Sequence, residues 1–413
     1  MSDDGSAAVG ARPSLGAFAP LRERTFRLLW TGLLISQTGS WMQFIAQGYL
    51  VDQLTKAPIY LGLLGLSQAV PRLLFAFIGG VAADRLDRRR VLLWTNITMM
   101  ASAALLAVLA YTGRITVWQI LVIGAFNSLA NAFDNPARQS LVPTLVGDRQ
   151  LMSALSLTSM ALNGSGIFGP SLGGVVIAAV GVKGCFFVNA LSYIAVVIAL
   201  LRMDVPRQAA GERASVVADM REGIGLLSRH PHLLALLGVV AVMNFFGRPY
   251  IRLMPALARE VLHVGPTGLG LLQAAPSLGT ILAVFVVSGA GATAQRGKLL
   301  LGAAMATGAL VALFALSPWF AVSVPLLVFI GTGQAVANAT ANTLVQTTVQ
   351  PDQRGRVMGL YGMVTFGMFA LGTLPVGALA GVTGVSFALA LGGAVAVALV
   401  GLLALTSPTI GRL

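Results

Sequence analysis

Charge is what this chain has least of. Only 10% of its 413 residues are Asp, Glu, Lys or Arg, whereas a water-soluble domain carries about a quarter. So few ions cannot cover a hydrated surface of ordinary size, and a soluble globular fold is excluded. Cysteine is nearly absent: Cys185 stands alone, which excludes a disulfide framework and a cysteine metal cluster. The three histidines, His230, His232 and His263, lie in the linker region and an outer loop and make no metal-spaced His/Glu set. There is no Gly-Lys-Ser/Thr phosphate loop and no Ser–His–Asp arrangement worth defending. Catalysis is therefore not expected, nor a metal or cofactor. ATP-driven transport would need a nucleotide domain that these residues do not contain.

What is present is apolar sequence in long uncharged runs. Residues 91–113, between Arg90 and Arg114, carry no charge and as a helix would reach roughly 35 Å at ~1.5 Å per residue, enough to cross a hydrocarbon core of about 30 Å. Residues 299–351 and 357–411 are also uncharged, each long enough for two crossings joined by a tight turn, at Ser317-Pro318-Trp319 and at Gly381-Val382-Thr383-Gly384. The pattern predicts an all-α polytopic membrane protein. The first twenty residues are polar, small and Pro-containing, and read as a short tail rather than a signal peptide.

Twelve spans are predicted, near 28–51, 59–83, 91–112, 117–139, 151–180, 185–202, 232–253, 266–288, 299–316, 320–345, 357–380 and 385–405. With both termini cytoplasmic, twenty of the 27 basic residues fall in tails, loops and span ends on that side and four, Lys56, Arg114, Lys183 and Arg259, on the other. Arg72, Arg248 and Arg252 fall within or at the ends of spans. The asymmetry follows the excess of basic residues in cytoplasmic loops, so the net charge of +13 needs no nucleic-acid partner. The expected organisation is a tail (1–25), a six-helix bundle (26–202), a cytoplasmic linker (203–231) and a second six-helix bundle (232–413), in a bacterial inner membrane and as a monomer.

The two bundles repeat one another. Asn131, Asn135 and Gln139 stand four apart, and Asn338, Asn342 and Gln346 do the same 207 residues later. The same offset carries Gln37 to Asn244. Gln68-Ala69-Val70-Pro71 is answered by Gln273-Ala274-Ala275-Pro276, and Leu61-Gly62-Leu63-Leu64 by Leu269-Gly270-Leu271-Leu272. An even number of spans per repeat puts both halves in the same orientation, which is a parallel repeat with substrate handled where the halves meet.

Certain motifs resemble those of the major facilitator superfamily. Between spans 2 and 3, Gly80, Asp84, Arg85, Arg88, Arg89 and Arg90 match its loop signature, with Asp87 standing where a second Gly is usual. In span 5, Gly169, Pro170, Gly173 and Gly174 resemble an antiporter-associated motif, with Ser165 where an upstream Gly is common. With Pro136-Ala137-Arg138-Gln139 and Arg354-Gly355-Arg356, the resemblance is to the bacterial efflux branch that includes the enterobactin exporter. It implies rocker-switch export of a small molecule, driven by proton antiport. Uptake by the same fold is the alternative, and a transporter-like sensor or lipid-handling protein is another. The resemblance also implies that Asp84 and its arginines, with Arg356, latch one access state against a helix N-terminus of the other half, where orphan N–H groups favour an anion. A cluster serving only to orient the chain is the competing reading, as helix packing alone is for the span-5 glycines.

Residues four apart share a helix face, so Asn127, Asn131 and Asn135 form a stripe on span 4, and Gln334, Asn338, Asn342 and Gln346 one on span 10. Span 1 offers Ser36, Gln37, Ser40, Gln43 and Gln47. In the family these spans, with span 7 and its Asn244, line the central cavity. Hydrogen bonding between buried amides is the alternative. Intramembrane charge is a sharper signal. Arg72 lies near mid-membrane and its repeat position is Ser277, so the charge belongs to one half; pairing with Asp52 or Asp134 is its plain alternative. Arg248 and Arg252 form a second basic face. Arg72 and Arg248 would favour an anionic or catechol-like substrate or balance a nearby carboxylate. For proton coupling the candidates are Asp134 and Asp52, unless Asp134 is permanently paired with Arg138. The expected partners are thus a small-molecule substrate, protons and the lipid bilayer.

Overall fold

A computed structural model describes residues 18–203, 225, 231–289, 295–350, 353–407 and 409–412, with the backbone alone at 76–85, 148, 231 and 412. Most of the tail and the linker, and the side chains of Gly80, Asp84 and Arg85, lie outside the described residues. Thirteen α-helices account for nearly all the rest: α1 Arg24–Thr55, α2 Pro58–Arg85, α3 Arg88–Tyr111, α4 Val117–Leu145, α5 Leu151–Val180, α6 Val182–Arg202, α7 Pro231–Phe246, α8 Tyr250–Glu260, α9 Pro266–Gly289, α10 Arg296–Leu316, α11 Phe320–Thr348, α12 Arg354–Thr383 and α13 Val385–Thr406. No strand occurs among the described residues. Twelve spans result, because α7 and α8 are two pieces of one.

Local signals set the ends. Thr116 caps α4 in a reciprocal box with Gln119, satisfying two N–H groups the helix would otherwise orphan. Asp87 caps α3, accepting from the backbone N–H of Arg89 at 3.0 Å and Arg90 at 3.4 Å. The departure from the loop signature is thus a cap. Lys56 ends α1 in the left-handed region at φ 51°.

Two sequence expectations need correction. Span 7 is broken: α7 stops at Phe246 and α8 starts at Tyr250. Gly247 disfavours the helix, and Pro249 removes an N–H donor and crowds the preceding turn. Span 4 does not end near residue 139. It runs through both Pro136 and Pro143 to Leu145, as buried membrane helices allow when neighbours satisfy the freed carbonyls.

Among the described residues, ten helices are long and apolar enough to cross a membrane, counting 232–260 as one. The two that miss are α1 and α4, at 32 and 29 residues. Length is ample in both, so their polar stripes are what lower their hydropathy. Large apolar side chains such as Trp94, Phe285 and Leu405 face outward, as a lipid-facing surface requires.

Within the first half, α1 packs on α5 and α6, α2 on α4, and α3 on α4 and α6; in the second, α9 packs on α11, α10 on α11 and α13, and α7 on α12 and α13. The halves meet along α2–α12 and α5–α9, pairs related by the repeat. At the end remote from the termini, one apolar core runs through both halves, from Ile45, Leu61 and Phe186 to Leu257, Leu272 and Phe314. At the end bearing the termini there are two separate cores, one around Phe26, Leu92 and Leu141 and one around Leu236, Leu344 and Val357.

Candidate functional site

Between those two separate cores lies a cavity of about 750 Å³. Its walls come from α2 (Arg72, Leu74), α4 (Asn131, Asn135, Gln139) and α12 (Arg356, Met363, Phe366). The cavity therefore sits between the halves and lies toward the termini end, while the far end is sealed. The seal depends on glycine. A Cβ on Gly62 of α2 would lie 2.7 Å from the Thr373 carbonyl oxygen of α12, and one on Gly174 of α5 would lie 2.5 Å from that of Pro266 at the start of α9. Backbone meets backbone there, with no flexible side chain to give way.

A carboxylate–guanidinium pair spans the sealed end. Arg259 of α8 donates from Nε to Asp52 Oδ2 at 2.7 Å and from Nη2 to Oδ1 at 3.0 Å. Asp52, on α1, is 3% exposed. The two residues are 207 positions apart, which is the repeat offset. Repeat-equivalent residues can touch only near the axis relating the halves, so this fork-shaped contact marks that axis. Strict symmetry would set identical side chains against each other, and divergence has made them opposite charges. The pair also corrects the placement of Arg259 in a loop.

Asp134 has a different setting. It is 3% exposed and accepts from Thr95 Oγ1 at 3.1 Å and Asn96 Nδ2 at 2.7 Å, both on α3. Arg138 Nη2 lies 3.3 Å from its other oxygen. The carboxylate thus faces the interior of the first half, whereas its neighbour Asn135 lines the large cavity and accepts from Arg138 at 3.4 Å.

With both buried acids engaged, neither pairs with Arg72. Among the described residues, Arg72, Arg248 and Arg252 have no carboxylate within 4.0 Å. Each instead lies over an aromatic ring: Arg72 over Phe366 at 4.8 Å, Arg248 over Phe369 at 5.4 Å and Arg252 over Phe44 at 4.3 Å. Arg72 and Arg252 reach those rings across the interface between halves. A ring face attracts a cation but does not neutralise it. Arg248 also donates to Asn244 at 3.1 Å.

Of the remaining candidates, Gln43 accepts from Asn189 at 2.7 Å, Ser40 shares a 3.0 Å bond with Tyr193, and Gln47 accepts from Gln68 at 3.0 Å. With Asn127 these surround a second, smaller cavity of about 120 Å³ inside the first half. Gln334 donates at 3.4 Å to the carbonyl of Gly247, freed by the break in span 7. Asn338 accepts through its backbone from Tyr361, and Asn342 holds Gln346. Gln37 is half-buried on α1. Among the loop arginines, Arg88 donates to the Ser140 carbonyl and Arg89 to those of Leu200 and Leu201, closing the exposed C-terminal end of α6 within the same half. In the span-5 motif, Gly169 and Gly173 press on α1 at Trp41 and Met42, while Gly174 and the Pro170 carbonyl press on α9.

Reasoning from sequence passed over Asn189, Tyr193 and Arg259 as functional positions. A lone Asn in an otherwise apolar span was a signal for the first.

Comparison with known proteins agrees with this architecture. The family described as transmembrane secretion effector matches residues 15–410. The uncharacterized MFS-type transporter YfiS of Bacillus subtilis (strain 168) is 30% identical over 369 residues, covering 86% of each chain. The enterobactin exporter EntS of Salmonella typhi is 27% identical over 289 residues, 69% of this chain and 68% of its own. Among solved structures, a bacterial homologue of the human lysosomal transporter Spinster, inward-facing and unoccupied, superposes with TM-score 0.71 at 14% identity over 97% of both chains.

Proposed function

The chain belongs to the transmembrane secretion effector family of major facilitator transporters, and from that premise we propose that it exports a small molecule across a bacterial inner membrane by alternating access. The observation that carries this reading is the pairing of one sealed end with one open cavity at the interface between halves. The termini, and with them the cavity mouth, are then cytoplasmic, in keeping with the basic loops. The family's efflux relatives, EntS among them, support outward transport.

Proton antiport is the proposed drive, and each buried acid has an arginine for protonation to release. Protonating Asp52 would free Arg259 and loosen the sealed end. Protonating Asp134 would free Arg138, whose other contact, Asn135, lines the cavity. Closing the cytoplasmic end would bring Asp84 and its arginines toward the first turn of α12, where Arg354 begins the helix and unpaired N–H groups favour an anion. The protein acts as a monomer in this scheme, since both access states are built from its own halves. The deciding experiment compares accumulation in a deletion strain with transport by energised vesicles of known orientation, with and without a proton gradient. Net uptake into cells would overturn the direction, and transport indifferent to the gradient would overturn the coupling.

A further inference from the structure

The small cavity inside the first half has a polarity that its hydrogen bonds fix. A guanidinium can only donate, so the 2.6 Å contact from Arg252 Nη2 must end on Gln68 Oε1. The Gln68 amide nitrogen must then be the group that donates, and it does so to Gln47 Oε1 at 3.0 Å. That leaves the Gln47 amide nitrogen at the end of the chain. Gln47 is 3% exposed, lines the cavity, and its Nε2 has no partner among the described residues. The usual ambiguity of an amide's orientation is removed here by the arginine at the other end.

A second orphan faces the same space: Asn127 Nδ2 is buried and unpartnered, and Asn127 lines the cavity from α4. The Nε atoms of Arg248 and Arg252 are buried and unpartnered as well. These four are N–H donors; of the other two buried atoms without a partner among the described residues, the Tyr250 hydroxyl can also donate and Gln150 Oε1 lies in the turn before α5. Leaving such groups empty costs free energy, and what would satisfy them is an acceptor. Charge points the same way, because Arg72, Arg248 and Arg252 have no carboxylate within 4.0 Å among the described residues, and hydrogen-bond chains ending on a cation polarise one another. The volume, about 120 Å³, is roughly that of four waters, enough for a carboxylate and its carbon but not for a whole drug-sized solute. Phe44 and Gln68 line the cavity and both touch Arg252 of the other half, so this wall of the cavity faces the interface between halves. One helical turn along α2 and α4 from Gln68 and Asn127 stand Arg72 and Asn131, which line the large cavity.

We propose that the transported solute is an organic anion whose carboxylate enters this amide cavity, held by Gln47 and Asn127 and drawn by the Arg252–Gln68 chain, while its bulk occupies the large cavity beside Arg72. The inference rests on the transporter reading above and adds the substrate's chemical class.

Two dyes on one xanthene frame test it: anionic 5-carboxyfluorescein and cationic rhodamine 123, binding to the purified full chain followed by fluorescence anisotropy. The expected result is saturable carboxyfluorescein binding at least tenfold tighter than rhodamine 123, competed by benzoate and not by benzamide. Gln47→Leu and Asn127→Ala should each weaken it about tenfold. The near-isosteric Gln47→Glu, which puts an acceptor where the orphan donor stood, should abolish the preference for the anion. Equal or reversed dye affinities, no saturable carboxyfluorescein binding, or wild-type affinity in every variant that elutes as a monodisperse peak would overturn the proposal, the last meaning that water alone fills the cavity. Dye efflux from cells expressing the chain is the separate readout for export: efflux of rhodamine 123 without anion preference would leave the exporter standing and remove only the anion.

Discussion

The two ends of this molecule are built on opposite principles. At the end remote from the termini a single apolar core crosses from one half into the other, glycines bring backbones together, and Asp52 grips Arg259 on the axis of the repeat. At the termini end each half keeps its own core, and the space between is lined by Arg72 and the amides of α4. The lesson is that two similar halves need not meet alike at both ends. Burial holds one end shut, while at the other the halves stand apart around a cavity. The alternating access proposed above requires this contrast to be reversible, and a sealed end held by apolar contact alone would resist that. An ion pair that water or a proton can release suits a contact that has to break.

The harshest way to break the contrast is to crowd the seal. Gly174→Leu puts side-chain atoms where the Pro266 carbonyl now lies, and the helices of the two halves must part. Transport should fall by more than about 100-fold while the protein still reaches the membrane. Distances between spin labels across the far end should lengthen, and because Cys185 is buried it will not compete for the labels. Unchanged distances would show that the seal does not depend on close approach. Next in size, Arg72→Ala should abolish measurable transport with normal membrane expression, and full activity in that variant would remove Arg72 from the substrate path.

Loosening the ion pair should have a more moderate effect. Taking one partner from a fully buried pair costs about 3–5 kcal/mol, but the Arg259 side chain is 36% exposed, and water compensates much of the loss. Asp52→Asn should therefore cost about 1–2 kcal/mol, roughly a tenfold shift toward far-end opening in the same label distances. The exchanged pair Asp52→Arg with Arg259→Asp should recover most of it, since the two positions are equivalent across the axis. Asp134→Asn should leave far-end closure unchanged and affect only the response of transport to a pH gradient. A normal response would strike Asp134 from the coupling scheme and leave Asp52.

Much of this was legible along the chain. The stripes Asn131-Asn135-Gln139 and Asn338-Asn342-Gln346 revealed the duplication because helical periodicity and a fixed offset are properties of one dimension. The break in span 7 was signalled by Gly247-Arg248-Pro249 but was overridden by the apolar residues on either side. The offset of 207 between Asp52 and Arg259 was equally present, yet an offset does not tell which equivalent residues lie on the axis and which lie tens of ångströms apart.

By itself, then, the sequence determined a twelve-span, twice-repeated membrane bundle, because uncharged length and repeat spacing are enforced by the bilayer whatever the packing. Only the tertiary structure decided which charges are spent and which are free. Asp134 had Arg72 and Arg138 as candidate partners and Asp52 had Arg72, yet Asp52 meets Arg259 instead; that choice depends on helix rotation and on how the halves approach. The same approach set Arg252 against Gln68, and so left Gln47 as a donor without an acceptor.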